Sequence, residues 1–139
     1  MVLVRDGRFT ADDTAFAPHD DGAAARIAVP GDYDHRALEG RLGSLEAIRI
    51  EVPSFADGRA LSLAARLRAD GFAGTLRAAG PLLADQYPLA LRSGFDEVEI
   101  TDEHARRIPE AQWAEAHGRT AFDYRARLQR GVRREARAA

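Results

Sequence analysis

Residues 55–96 read FADGRALSLAARLRADGFAGTLRAAGPLLADQYPLALRSGFD, and the fold follows from how this stretch is punctuated. Asp57 stands where a helix N-cap belongs, and Ala60, Leu63, Ala64 and Leu67 then recur on one helical face. Gly71-Phe72 stops that helix: glycine accepts the positive φ of a C′ position, and phenylalanine folds back on the last turn. Thr75-Leu76-Arg77-Ala78 is a strand. Gly80-Pro81 opens a second helix with proline in its favoured first turn, and Gly94-Phe95 repeats the stop. Pro88 falls inside this helix and removes the hydrogen bond to the carbonyl of Ala84. The helix must therefore kink or restart there, turning Asp85 and Gln86 toward the strand ends.

The same beat continues outward. Residues 27–29 form a short strand closed by Pro30-Gly31, and a helix capped by Asp32 or Asp34 runs to about Leu42, where Gly43 stops it. Ile48-Arg49-Ile50-Glu51-Val52 and Val98-Glu99-Ile100 are further strands. Strand–helix units repeated at this length imply parallel strands joined by right-handed crossovers. Asp102-Glu103-His104 reads as the first turn of a helix through Trp113 to His117, broken at Pro109 and ended by Gly118. Upstream, residues 2–9 resemble a hairpin turning at Asp6-Gly7. Residues 11–25 are small and acidic and read as a loop. Its His19, Asp20 and Asp21 carry metal-ligand side chains, but a solvated turn is the expectation. The chain is expected to be one α/β domain, 1–139: a polar leader (1–25), a βα core (26–117) and a basic segment (118–139). Arg125, Arg127, Arg130, Arg133, Arg134 and Arg137 make that segment basic. Either a solvated helix face or a contact with an acidic partner surface or with nucleic acid accounts for it.

The strands alternate. Ile48, Ile50 and Val52 are interleaved with Arg49 and Glu51, Leu76 and Ala78 with Thr75 and Arg77, Val98 and Ile100 with Glu97 and Glu99. A sheet covered by helices on both faces has nearly continuous apolar strands. Here only one face is apolar and carries helices. Charges on the other, buried singly, would each cost several kcal/mol, so they must be wet, mutually paired or covered by another charged surface. The expected fold is about four βα units with a parallel sheet and helices on one face. It is an open half-barrel, closed by a second subunit in a homodimer. A flavodoxin-like three-layer sandwich is the alternative.

Composition narrows the chemistry. The formal net charge of −2 argues against capture by nucleic acid or an acidic membrane. All 20 basic residues are arginine, which excludes lysine Schiff-base chemistry. The absence of cysteine removes thiol nucleophiles, dithiol redox couples and thiolate metal clusters, and is compatible with the cytoplasm. No apolar run suits a signal peptide or a membrane span. GxGxxG, P-loop, HExxH and GxSxG motifs are all missing, so no motif identifies a cofactor or decides whether the protein is an enzyme. His35, His104 and His117 stand alone and are expected at the surface. Trp113, Phe122 and Tyr124 read as packing residues.

Ligands of parallel α/β folds gather at the C-terminal ends of the strands. The loops there offer Ser54, Asp57, Gly58, Arg59 and Ser62 on one side and Gly80, Asp85 and Gln86 on the other, with Arg77 on the strand between. Arg59 and Arg77 together suit an oxyanion, because guanidinium forks match carboxylate, sulfate and phosphate. The competing reading is a capping Asp57 and an Arg59 paired with Asp85 or Glu51.

This stretch resembles the bacterial domain-of-unknown-function family 934. The resemblance rests on Phe55, Asp57-Gly58-Arg59, Ser62-Leu63-Ala64, Leu67-Arg68, Gly71, Leu76-Arg77-Ala78, Gly80, Leu83, Asp85-Gln86, Arg92 and Gly94-Phe95-Asp96, gapless over about a third of the chain. Pro81, Ala84 and Pro88 depart from the family pattern. The family is generally encoded beside assimilatory sulfite reductase. The resemblance therefore implies an accessory or small-oxyanion-binding protein of sulfite or sulfate reduction, non-catalytic or docking on the reductase, with sulfite reductase or a neighbouring sulfate-assimilation enzyme as partner. The alternative it implies is an oxidoreductase using a diffusible flavin or nicotinamide cofactor.

Overall fold

The computed structural model describes residues 1–12, 14–54 and 56–120; the Arg-rich end with Phe122 and Tyr124 lies outside them. The chain begins with the expected hairpin. Strands β1 (Val2–Arg5) and β2 (Arg8–Ala11) turn at Asp6-Gly7, whose φ angles of 52° and 76° are both positive, as a type I′ turn requires. Then come β3 (Ala17–Pro18), β4 (Arg26–Val29), β5 (Ala47–Glu51), helix α1 (Arg59–Ala69), β6 (Thr75–Ala79), α2 (Tyr87–Ser93), β7 (Glu97–Ile100), α3 (Asp102–Arg107) and α4 (Glu110–Thr120).

The fold is α/β, with an open, mostly parallel sheet ordered β2-β1-β7-β6-β5-β4-β3 and four helices among the described residues. Strands β3 to β7 are parallel and lie side by side in chain order; β1 runs antiparallel to both β2 and β7. Because every parallel step goes the same way, right-handed crossovers bring all the connections to one face. The core confirms this. Ile27, Val29, Ile48, Ile50, Leu76, Ala78, Val98 and Ile100 pack with Leu63 and Leu67 of α1, Tyr87 and Leu91 of α2, and Trp113 of α4.

Both Gly-Phe stops form as read. Gly71 has φ 101°, its N–H donates to Arg68 O (3.0 Å), and the N–H of fully buried Phe72 donates to Leu67 O (3.0 Å). These are the two bonds of a Schellman motif. Gly94 and Phe95 repeat them with Leu91 O and Ala90 O. The second helix does not open at Gly80-Pro81: residues 81–83 are not helical, a 3-10 turn follows at Ala84–Gln86, and the helix begins at Tyr87 with Pro88 in its first turn. Pro109 separates α3 from α4.

Other expectations need correction. Residues 1–25, read as a polar leader, contribute β1, β2 and β3 to the sheet. Val2 and Val4 pair opposite Ile100 and Val98 and extend the apolar face. The helix expected to run to Leu42 is two 3-10 turns, His35–Leu38 and Leu42–Ser44. Asp34 caps the first through Arg36 N–H, but Glu39 leaves the helical region at ψ 128° and Gly40 lies at φ 84°, so the helix cannot propagate. Gly118 does not end α4, which runs on to Thr120. The three isolated histidines are half-buried and partnered: His35 with Asp70 (2.7 Å), His104 with Leu82 O (2.6 Å), His117 with Asp6 (4.0 Å).

Chain length dictates curvature. Strands β2 and β3 are opposite edges of the sheet, six spacings of about 4.8 Å apart, or roughly 29 Å if the sheet were flat. Six residues take the chain from Ala11 to Ala17, and even fully extended they reach only about 20–22 Å. The sheet must therefore curl. It curls toward its charged face, because the connecting strap contacts Arg77 there, on the central strand β6. The layers are thus helices, sheet and strap. The edges are blunted: the Phe9 amide of β2 is held by Glu110 Oε2 (2.7 Å), and β3 is two residues long with a proline.

Candidate functional site

The concave face carries a ladder of ion pairs running across four strands. Arg5 of β1 donates from Nε to Glu97 of β7 (3.0 Å). Arg77 of β6 donates to Glu97 from Nε (2.9 Å) and to Glu99 from Nη1 (3.1 Å). Arg49 of β5 donates to Glu99 from Nη2 (2.7 Å) and lies 3.7 Å from Glu51. The strap adds Asp12, bound to Arg77 Nη2, and Phe16, whose ring lies 4.8 Å from the guanidinium carbon. Of the three arrangements open to these charges, mutual pairing is the one adopted. Burial alone would lower the Arg77 pKa, but hydrogen bonds to Asp12 and Glu97 outweigh it and raise it. Burial likewise opposes the charge on Glu99, yet Arg49 and Arg77 hold its pKa below the usual range. Asp12 falls to about 2, chiefly through the Thr14 hydroxyl and then Arg77, against burial.

Where the ladder meets the C-terminal ends of β4, β5 and β6, a cleft of about 350 Å³ opens. Its charged lining is Asp32, Arg49, Glu51, Asp57 and Arg59, floored by Val52 and Ala79. Asp57 accepts both the Arg59 amide (3.0 Å) and its guanidinium (2.8 Å from Nη2). Those two bonds lower the Asp57 pKa to about 2, the side chain contributing most. Asp32 lies 3.8 Å from the same guanidinium. A second, open cleft of about 590 Å³ adjoins the first across Asp32 and Arg59, with Tyr33, Gly58 and Ser62 on its wall.

The sequence-derived site is thus only partly assembled. Asp57 and Arg59 line the first cleft, and Gly58 and Ser62 the second. Ser54 braces its own loop, accepting the Ala56 amide (3.2 Å). Gly80 donates to Glu99 O (3.2 Å). Arg77 is not a partner of Arg59: it is buried on the concave face with three carboxylates. Asp85 does not turn into the cleft; it is exposed and 3.5 Å from Arg119. Gln86 Oε1 accepts the Leu83 amide, closing its own turn. The expected partners of Arg59, Asp85 or Glu51, give way to Asp57 and Asp32, which local geometry makes nearer. Sequence reasoning missed Asp32 and Asp12. Asp32, immediately after Pro30-Gly31 at a strand end, was legible as a mouth residue; Asp12 had no local signal. His19, Asp20 and Asp21 do not converge: His19 lies edge-on to Tyr33, and Asp21 accepts the Ala23 amide in a local turn. Among the described residues no cluster of metal-ligating side chains forms, and no helix is long and apolar enough to cross a membrane.

Fold and site together define a singly wound α/β protein with a strapped, ion-paired concave face and a strand-end cleft. Residues 26–132 match the model of the bacterial proteins of unknown function DUF934, and the chain belongs to that family. No curated protein and no solved structure matches it.

Proposed function

We propose that this protein is a non-catalytic accessory module that holds a small oxyanion-bearing ligand in the strand-end cleft. Supporting this is the position of the cleft, at the C-terminal ends of parallel strands, with two guanidinium groups on its wall. Arg59 is the anchor because its side chain is 65% exposed and its partners are surface carboxylates that a ligand can displace. Arg49 is the inner group, 24% exposed and tied to Glu99. Asp32 and Glu51 favour a ligand that also carries hydroxyl or amino donors, since the lining has three carboxylates to two arginines.

The setting in assimilatory sulfite or sulfate reduction, with docking on the reductase, rests on the family resemblance. A homodimer would have to form through faces, because both sheet edges are blunted. Calorimetry with sulfite, sulfate and phosphate, against chloride at equal ionic strength, tests the cleft. Binding that weakens at least tenfold in Arg59→Ala supports it; binding indifferent to that change removes it. Saturable binding of a flavin or nicotinamide nucleotide at the cleft would replace it with the oxidoreductase reading. Co-purification with sulfite reductase tests docking separately.

A further inference from the structure

Arg77 is the central group of the concave face, and one of its three carboxylates differs from the others. Glu97 and Glu99 belong to the neighbouring strand β7, whereas Asp12 belongs to the strap. Among the described residues, no backbone–backbone hydrogen bond ties residues 12 or 14–16 to the sheet. The strap is fastened instead by two side chains on one guanidinium, Asp12 at its edge and Phe16 over its face. Asp12 keeps 18% of its side-chain surface in water, while Arg77 keeps 5%. A solute can reach the first more readily than the second. Without Asp12 the ladder contains Arg5, Arg49 and Arg77 against Glu51, Glu97 and Glu99, an even balance. Asp12 is thus the surplus anion, and exchanging it for another monoanion leaves the ladder's charge unchanged.

We propose that Arg77 is the base of a second anion site, that Asp12 is its resident occupant, and that a small oxyanion or carboxylate displaces Asp12 and frees the strap. The site is separate from the Arg59 cleft and lies deeper on the concave face. An incoming anion would meet Arg77 Nη2 and the wall made by Phe16. Strap and cleft also share a route, because Arg77 and Arg49 both bind Glu99.

The test uses the full chain and sulfate as the probe, with chloride at equal ionic strength as the control, in an Arg59→Ala background so that the cleft does not report. Hydrogen exchange should accelerate at the amides of residues 14–16 as sulfate saturates. Thr14 should lead, since its N–H is held by Asp12 (3.1 Å). Asp12→Asn in the same background should bind sulfate at least tenfold more tightly and show fast strap exchange without it. Strap amides that respond equally to sulfate and chloride would overturn the proposal. So would an Asp12→Asn protein with no gain in sulfate affinity. Should that variant not fold, the exchange measurement with Asp12 in place decides alone. A sulfate effect present only when Arg59 is intact would place the anion in the cleft and also overturn it.

Discussion

Arg68 and Asp96 bind each other at 2.7 Å in the interior, 7% and 4% exposed, and between them fasten both Gly-Phe stops to the sheet. The Arg68 guanidinium also donates to the carbonyls of Phe72 (2.9 Å), Gly74 (2.7 Å) and Gly94 (2.8 and 3.0 Å). Asp96 Oδ2 also accepts the Leu76 amide at the start of β6 (3.0 Å). The family-like residues Leu67-Arg68, Gly71 and Gly94-Phe95-Asp96 are therefore a structural knot. Removing one partner of such a buried pair costs about 3–5 kcal/mol, because the other charge is stranded. Arg68→Ala should destabilise by that amount in urea denaturation. Arg68→Lys should recover little, since an ammonium lacks the fork that reaches three carbonyls and a carboxylate at once. Asp96→Asn keeps an acceptor for Leu76 and should cost less than Arg68→Ala.

The glycines of the strand-end loops and helix stops should rank by what surrounds them. A Cβ on Gly80, at φ 155°, would lie 2.0 Å from Val52 O, a backbone atom that cannot swing aside. A Cβ on Gly71, at φ 101°, would meet nothing within 4 Å, leaving only the left-handed conformation to pay for, about 1–2 kcal/mol. Gly80→Ala should therefore lower the urea midpoint well beyond Gly71→Ala. Equal effects would mean that β6 and the loop after Val52 are not in contact.

How much of this was legible depended on whether a signal was local. The Gly-Phe stops, Pro88 and the alternation along β5, β6 and β7 are written within a few residues, and each formed as read. The charged face was legible too, since Arg49 and Glu51, Arg77, and Glu97 and Glu99 alternate with apolar residues along their strands. Its partners were not: Asp12 meets Arg77 across 65 residues, and only the closing of the sheet brings them together. The same limit hid where the N-terminal hairpin goes: its turn at Asp6-Gly7 was legible, but what places β1 in the sheet is the free edge of β7. That Arg77 stands apart from Arg59, among three carboxylates, was not legible, because sequence reports which face a side chain is on, not how many carboxylates wait there.

Acid should unfasten the strap before it unfolds the core. Asp12 and Glu99 both have folded pKa values below their unfolded ones, about 3.9 and 4.3. Their contribution is therefore complete above about pH 4.5 and is lost as pH falls through the folded values, about 2 for Asp12. Urea midpoints should fall from about pH 4.5 to pH 2 and stay flat from pH 5 to 8 as far as these groups are concerned. In Asp12→Asn the decline should be shallower, with lower stability at neutral pH. A decline of unchanged steepness would show that Asp12 is not held by Arg77 in solution.

Arg59 and Arg77 should separate binding from folding. Arg59 is 65% exposed, and pairs of that kind contribute about 0–1 kcal/mol. Arg59→Ala should leave the urea midpoint nearly unchanged while removing the cleft's exposed cation. Arg77→Ala would leave Asp12 without its arginine and the buried Glu97 and Glu99 with one each, Arg5 and Arg49, so its loss should approach the Arg68 variant's. Arg77→Ala is thus useless as a probe of ligand binding, whatever ligand it loses. If instead Arg77→Ala is tolerated and Arg59→Ala is not, the ladder is solvated and the cleft, not the concave face, organises the sheet.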